Sequence, residues 1–244
     1  MSENFRVAHC SDIHLDGDVY STDKQSQSIL FEKMLGEIKK RHPHLLLIAG
    51  DLFDSNRASK NIALWAMAVI SALPFDVFII PGNHDCLQPN GVFERHDFNA
   101  LRNVQMFKDP EGEVRWLKKH NVAVWGKGME AHTPEYLPLS NCPSRPAKCD
   151  WYLGMGHGLY TGNDAETGRS SPISQQDIED SPLDYIALGH HHAAMKVITE
   201  TTVAAYSGSP TDDIGEGFTF ALANLKKGMM PALEILTLEN ISPD

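Results

Sequence analysis

Three short apolar runs, each closed at its carboxyl end by glycine or polar residues and separated by stretches of helical character, constrain this chain more than any other feature. Residues 5–10 run into Asp12 and His14, residues 45–49 end in Gly50-Asp51, and residues 77–80 end in Pro81-Gly82-Asn83-His84-Asp85. Between the first two runs, Ile29, Leu30, Met34, Leu35 and Ile38 recur at helical spacing up to Lys39-Lys40-Arg41, whose cations suit the end of a helix dipole. Between the second and third, residues 62–71 read as a buried helix. Strands alternating with helices predict an α/β sheet with parallel neighbours, and such sheets gather functional groups beyond the carboxyl ends of their strands. Asp12, Asp51 and Asn83 all fall at that position.

The second half has a different texture. Residues 151–156 and 185–188 read as strands that run into His157 and into Gly189-His190-His191-His192. Beyond them, the runs 195–198, 203–206, 218–225 and 233–238 are divided by Gly, Pro and charged turns, which predicts an antiparallel meander. Residues 85–99 and 158–181 read as long irregular loops, the second with one short helix near 174–178. No internal repeat or linker divides the 244 residues, and one domain over 1–244 is expected.

Composition narrows the surroundings. Residues 62–80 are about long enough to cross a bilayer, but Pro74 and Asp76 interrupt them, so a helix followed by a strand is the better reading. Residues 1–6 lack the basic start and apolar run of a secretory signal. The four cysteines, Cys10, Cys86, Cys142 and Cys149, form no Cys-x-x-Cys pair, and reduced thiols in a cytoplasmic protein are expected. Formal charge is 21 minus 32, or −11, which argues against a broadly basic surface for duplex nucleic acid. Bound divalent metals would reverse the local sign around acidic ligands.

Five segments place oxygen or imidazole groups at strand ends: Asp12-Ile13-His14, Gly50-Asp51, Gly82-Asn83-His84-Asp85, Gly156-His157-Gly158 and Gly189-His190-His191-His192. Singly each is a weak sign, since an Asp-x-His triplet arises readily by chance. Together they offer carboxylate, amide and imidazole groups in glycine-flanked turns, where backbones approach closely and side chains converge. Such a set without thiolate suits Mn²⁺, Fe²⁺ or Zn²⁺, with Mn²⁺ as the first expectation.

These five segments, complete and in order, resemble the signature of the calcineurin-like metallophosphoesterase superfamily. The resemblance implies a four-layer αββα sandwich, two mixed β-sheets flanked by helices. It implies one metal ion held by Asp12, His14 and His192, another by Asn83, His157 and His190, and Asp51 bridging the two. In that scheme His84 passes a proton or hydrogen bond to the leaving oxygen or phosphoryl group, and Asp85 orients it. His191 is read as structural and His9 as a core residue or a support behind the ligands. His42, His44, His96, His120 and His132 show no partner pattern.

Within the superfamily, the wording is similar to the SbcD-type DNA repair nucleases: His9-Cys10-Ser11-Asp12-Ile13-His14-Leu15, Ile48-Ala49-Gly50-Asp51-Leu52-Phe53-Asp54, Tyr185-Ile186-Ala187-Leu188-Gly189-His190-His191-His192 and Tyr206-Ser207-Gly208-Ser209-Pro210. That likeness covers roughly residues 5–210 and implies a manganese-dependent nuclease. Members of the branch usually continue into a DNA-capping domain and a segment that docks onto a coiled-coil ATPase, whereas this chain ends at Asp244. The expectation is therefore a compact bacterial form lacking both, an endonuclease on single-stranded or flexible DNA. Cap-less relatives encoded beside ligase and helicase genes make such repair proteins candidate partners. Asp54 stands where some members carry histidine. Asn56 and Arg57 are candidate phosphate contacts, and Phe93 and Tyr160 candidate base-stacking residues. Two other readings stay open: a small-molecule phosphodiesterase or phosphatase acting on cyclic nucleotides or nucleotide pyrophosphates, and a scaffold without activity.

Overall fold

The alternation of apolar side chains along the strands builds three hydrophobic layers, and these set the architecture. In the computed structural model, residues 4–17, 26–163, 168–212, 214 and 217–238 are described. Strand β1 (Asn4–Cys10) sends Phe5 and Val7 to one side, and β2 (Leu45–Ala49) adds Leu45, Leu47 and Ala49 to the same layer. The alternate residues Ala8, Cys10, Leu46 and Ile48 face the other way. There they meet α1 (Gln27–Lys40) through Phe31, Met34, Leu35 and Ile38, and α2 (Lys60–Ser71) through Ile62, Ala63, Ala66 and Ile70. A side-chain period of two gives the sheet two buried faces.

Strands β1, β2, β3 (Asp76–Ile80) and β4 (Val104–Met106) run parallel. The hairpin β13 (Thr219–Lys226) and β14 (Ala232–Thr237) completes this first sheet in the order β14-β13-β1-β2-β3-β4, with β13 antiparallel to β1. The second sheet repeats the plan. Its parallel centre is β12 (Val203–Ser207), β10 (Tyr185–Gly189), β7 (Trp151–His157) and β6 (Val122–Gly126), edged by antiparallel β11 (Ala194–Ile198) and β5 (Glu113–Leu117). Val124, Leu153, Met155, Tyr185, Ala187 and Ala205 pack against the first sheet. On the far side, Ile173, Ile178 and Leu183 cover Tyr152, Ile186 and Tyr206. The result is the α/β sandwich of two mixed sheets, helix-covered on one side and covered on the other by the short α4 (Gln175–Glu179) and by loops.

His9 lies in β1 on the inward side, fully buried, with Nδ1 2.9 Å from the Tyr185 hydroxyl and Nε2 3.1 Å from the Leu188 carbonyl. It is a core residue that ties one sheet to the other, and burial pushes its pKa down to about 3. The apolar stretch 62–80 is a helix of 12 residues followed by β3, and among the described residues no helix is long and apolar enough to cross a membrane.

Two expectations are corrected. Residues 195–238 form not one meander but two hairpins in different sheets, because alternation specifies a hairpin and not the sheet it joins. Residues 158–181 are not irregular throughout: β8 (Leu159–Gly162) and β9 (Pro172–Ser174) pair in parallel, and α4 follows under a Ser174–Asp177 capping box. Residues 85–99 hold one short helix, α3 (Val92–Arg95).

The sheets approach closely at Gly189, where a Cβ would stand 1.9 Å from the Ala49 carbonyl oxygen. Gly189→Ala should therefore lower stability by about 3 kcal/mol, the upper range for overpacking a filled core. A urea midpoint indistinguishable from wild type would show that the sheets separate at little cost.

Candidate metal centre

Every parallel strand of both sheets points its carboxyl end to one edge of the sandwich, so the segments after β1, β2, β3, β7 and β10 converge there. Backbone bonds lock the first two together, with Asp12 N–H donating to the Gly50 carbonyl and both Ile13 and His14 N–H to the Asp51 carbonyl. Asp12, His14, Asp51 and His190 all take left-handed φ values, 55°, 49°, 52° and 99°. Such backbone costs on the order of 1–3 kcal/mol per residue and persists where surrounding contacts over-determine it, as at functional sites.

The side chains form two groups about Asp51. In the first, Asp12, His14 and His192 bring one ligand atom each within 4.8 Å of one another. His14 Nδ1 lies 3.1 Å from the Asp54 carboxylate and His192 Nδ1 2.8 Å from the Asp212 carboxylate. Carboxylates only accept, so both rings carry their proton on Nδ1, and the two Nε2 lone pairs face each other 3.2 Å apart. In the second group, His157 Nδ1 donates to the Ala49 carbonyl at 2.8 Å, which leaves Nε2, 3.0 Å from Asn83 Oδ1 and 3.3 Å from Asp51 Oδ2, as the atom that offers a lone pair once its proton is lost. His190 Nδ1 reaches the same Asn83 oxygen at 2.8 Å. Asp51 Oδ2 stands between the groups, 3.9 Å from His14 Nε2 and 3.3 Å from His157 Nε2.

Lone pairs aimed at lone pairs in a buried site repel unless a cation lies among them. The donor set of carboxylate, imidazole and amide oxygen, with His14, His157 and His192 each held from behind by an acceptor, fits divalent metal at both groups. The seven sequence-predicted ligands are thus brought together. Asp12, Asp51 and His157 are buried, while His192 is about a quarter exposed at 28%.

The electrostatics show what balances the site when metal is removed. Burial works to lower the His157 pKa, but the Asp51 and Asp12 carboxylates outweigh it and push it up to about 9. Burial also works to raise Asp51, yet His157 and the His84 N–H hold it below the usual carboxylate range. Asp12 is raised, by burial first and then by Asp51 among its neighbours. Burial lowers His190 to about 4. One proton on His157 thus stands in for a cation below pH 9. Metal affinity of the Asn83–His157–His190 group should rise about tenfold per pH unit from 7 to 9 and then level, because one proton must leave. Stability of the metal-free protein runs the opposite way: the raised His157 pKa gives a contribution fully present below pH 6.5 and lost as pH passes 9. Equilibrium dialysis and thermal melts across that range check both signs, and a flat affinity profile would remove His157 from the ligand set.

The residues around the ligands sort differently from the sequence-based scheme. His84 lies at the rim, its side chain 42% exposed and its ring edge-on to His14 at 4.6 Å. Its Nδ1 donates to the Asp54 carbonyl at 2.8 Å, and the Asp54 carboxylate is 3.7 Å away. Asp54, not Asp85, therefore orients His84. The Asp85 oxygens accept from Gly82 N–H at 2.7 Å and Phe53 N–H at 3.1 Å, so that carboxylate shapes the loop beneath the site. Burial and then Asp51 push its pKa up to about 7.

Asn56 is likewise internal, donating to the Cys86 carbonyl and accepting from Val92 N–H. Phe93 is buried between Phe53 and Phe98 and offers no face to a base. Tyr160 directs its hydroxyl to Gln175, and Arg57 is exposed. His191 is exposed beside Tyr206, outside both groups.

Sequence reasoning overlooked Asp212, Ser209 and Thr211, which follow β12. Ser209 Oγ donates to the Asp12 carbonyl and Thr211 Oγ1 to the Ile13 carbonyl, both at 2.7 Å. The Tyr206–Pro210 motif thus brings these clasps to the first sheet. A polar run after a strand was the available signal.

Comparison with known proteins agrees with this geometry. The family model described as calcineurin-like phosphoesterase matches residues 5–194. The chain is similar to the uncharacterized metallophosphoesterase YhaO of Bacillus subtilis, 26% identical over 231 residues, covering 86% of this chain and 54% of that protein. It is 22% identical over 223 residues to the DNA double-strand break repair protein Mre11 of Methanopyrus kandleri, covering 84% of this chain and 48% of the relative. With the SbcD component of the nuclease SbcCD of Escherichia coli it shares 23% over 283 residues, covering 98% and 69% respectively. The chain spans about half the length of the first two of these relatives and about two thirds of the third.

Proposed function

Since the chain belongs to the calcineurin-like phosphoesterase family, hydrolases of phosphoester bonds with a binuclear metal centre, we propose that it is a Mn²⁺-dependent DNA endonuclease acting on single-stranded or flexible DNA in repair. The observation that carries the chemistry is the pair of lone-pair groups joined by Asp51, with His84 beside them at a solvent-open rim. The DNA substrate is supported by the likeness to Mre11 and to the SbcD component of SbcCD, and repair proteins such as a ligase or helicase are the partners it implies.

Divalent ions, when bound, supply a nucleophile near neutral pH and offset charge on the phosphoryl oxygens. The chain's own residues do the rest. Asp51 holds both groups in register through Oδ2 while its Oδ1 accepts from His84 N–H at 2.8 Å, so the rim histidine and the ligands share one anchor. With Nδ1 committed to Asp54, His84 uses Nε2 to hand a proton to the departing oxygen. The exposed edge at His84 and Asp54 leaves room for a chain to lie across the site.

Incubation with Mn²⁺ and circular single-stranded DNA is the direct test, with nicking expected. Rapid turnover of cyclic nucleotides or nucleotide pyrophosphates with DNA left intact would favour a small-molecule phosphodiesterase, which the charge of −11 makes the second reading. A metal content near zero after dialysis against Mn²⁺ would leave only a scaffold.

A further inference from the structure

One histidine that the sequence pattern leaves without a role is placed against the second ligand group. His132 lies in the segment after β6, a parallel strand of the second sheet, so it emerges at the same edge as the ligands. Its ring is 5.0 Å from that of His190, inclined at 43°. His14 and His84 are also close, at 4.6 Å, though edge-on at 89°. A non-ligand imidazole thus leans on a ligand imidazole in each half of the site.

The local structure holds His132 in place. Nδ1 is 2.8 Å from the Ser171 hydroxyl, and Ser171 N–H donates to the Thr133 carbonyl at 2.9 Å. Ser171 is buried with a left-handed φ of 49°, a conformation that serine adopts at a cost, and its carbonyl accepts from Leu159 N–H at 3.0 Å. Two loops from different parts of the chain are therefore pinned at one strained residue, and the pin carries His132. Either group can donate in that bond; in the tautomer in which the Ser171 hydroxyl donates to Nδ1, the ring proton sits on Nε2 and His132 presents an N–H donor. His132 remains half-buried, near enough to Asp51, His84 and His157 for their charges to act on it.

We propose that His132 is a substrate-binding residue that donates a hydrogen bond from Nε2 to a non-bridging phosphoryl oxygen at the His190 half of the site. The proposal rests on the phosphoesterase reading but not on DNA as the substrate. His132 is not a metal ligand in this scheme, since Asn83, His157 and His190 complete that group.

The test uses the Mn²⁺-loaded full chain and orthophosphate as the probe, followed by calorimetry. His132→Ala should weaken phosphate binding about 10- to 100-fold, the loss of one hydrogen bond to a charged oxygen. Metal content should equal wild type, and on a chromogenic diester KM should rise by a similar factor with kcat within a few-fold. His132→Asn, which keeps a donor, should recover part of the loss. Ser171→Ala, which removes only the anchor, should show a smaller one. Unchanged phosphate affinity in His132→Ala, or loss of metal in that variant, overturns the proposal. A wild-type protein that binds Mn²⁺ but not phosphate also overturns it. One that binds no metal overturns the phosphoesterase reading and this proposal with it.

Discussion

His84→Ala is expected to keep its full metal content and to lose roughly 10²- to 10⁴-fold in diester hydrolysis, the range that a positioned proton donor contributes. The two halves of that expectation have separate causes. A ring nitrogen of His84 comes within 4.8 Å of ligand atoms of His14 and Asp51, but Nδ1 is bonded to the Asp54 carbonyl at the exposed rim, and each ligand group has its own contacts without His84, so its removal should leave those groups as they are. What connects His84 to Asp51 is its backbone N–H, which alanine retains. The loss should fall on kcat more than on KM, and should shrink for a substrate whose leaving group departs without a proton, such as a nitrophenyl ester. Inductively coupled plasma mass spectrometry and steady-state kinetics on two substrates decide it. Loss of metal in this variant would make His84 a ligand and leave the proton unassigned.

Asp51→Ala should have the larger effect, with metal lost from both groups and hydrolysis lower by more than about 10⁴-fold. Asp51 is the contact common to the two groups, and it is the carboxylate that holds the proton on His157 when metal is absent. Its removal leaves His157 buried beside the remaining acceptors without its main partner. Deleting one member of a buried ion pair costs on the order of 3–5 kcal/mol, so the metal-free variant should also melt lower. Asp51→Asn, nearly the same shape, separates charge from packing: no bound metal is expected, and melting should fall between wild type and Asp51→Ala, because the charge is lost while the shape is kept. Two retained equivalents of Mn²⁺ in either variant would show that Asp51 is not a ligand.

How much of this was legible before the structure depends on what each part is made of. Strands β1 to β3 and helices α1 and α2 were readable because each apolar run has one period and ends at glycine, proline or charge. The convergence of the seven candidate ligands was readable too, since each stands at or just beyond a strand end. Strands β4, β5 and β6 were not anticipated. β4 is only three residues long, and β5 is half-buried along most of its length, which blurs its alternation. β6, Val-Ala-Val-Trp-Gly, is as continuous an apolar run as β2 and was simply overlooked. The supports behind the ligands were hidden more deeply. Asp54 lies three residues beyond a ligand in a stretch that otherwise reads as turn, and Asp212 reaches His192 across 20 residues. His132 meets His190 and Ser171 only through the crossing of two loops. Contacts of that kind are set by which strands are neighbours, and pattern along one chain carries little of it.

The division of the ligands between the sheets has a kinetic consequence. Asp12, His14, Asp51 and Asn83 follow strands of the first sheet, and His157, His190 and His192 follow strands of the second. A metal ion held by either group would therefore rivet two layers that otherwise meet through interdigitated apolar side chains. Prying the layers apart would then require the ions to leave first, and ion release would limit the unfolding rate. At free metal 1,000 times the dissociation constant, the native state gains about 4 kcal/mol per ion. A cell starved of the metal would then lose the protein itself to proteases, and not merely its activity.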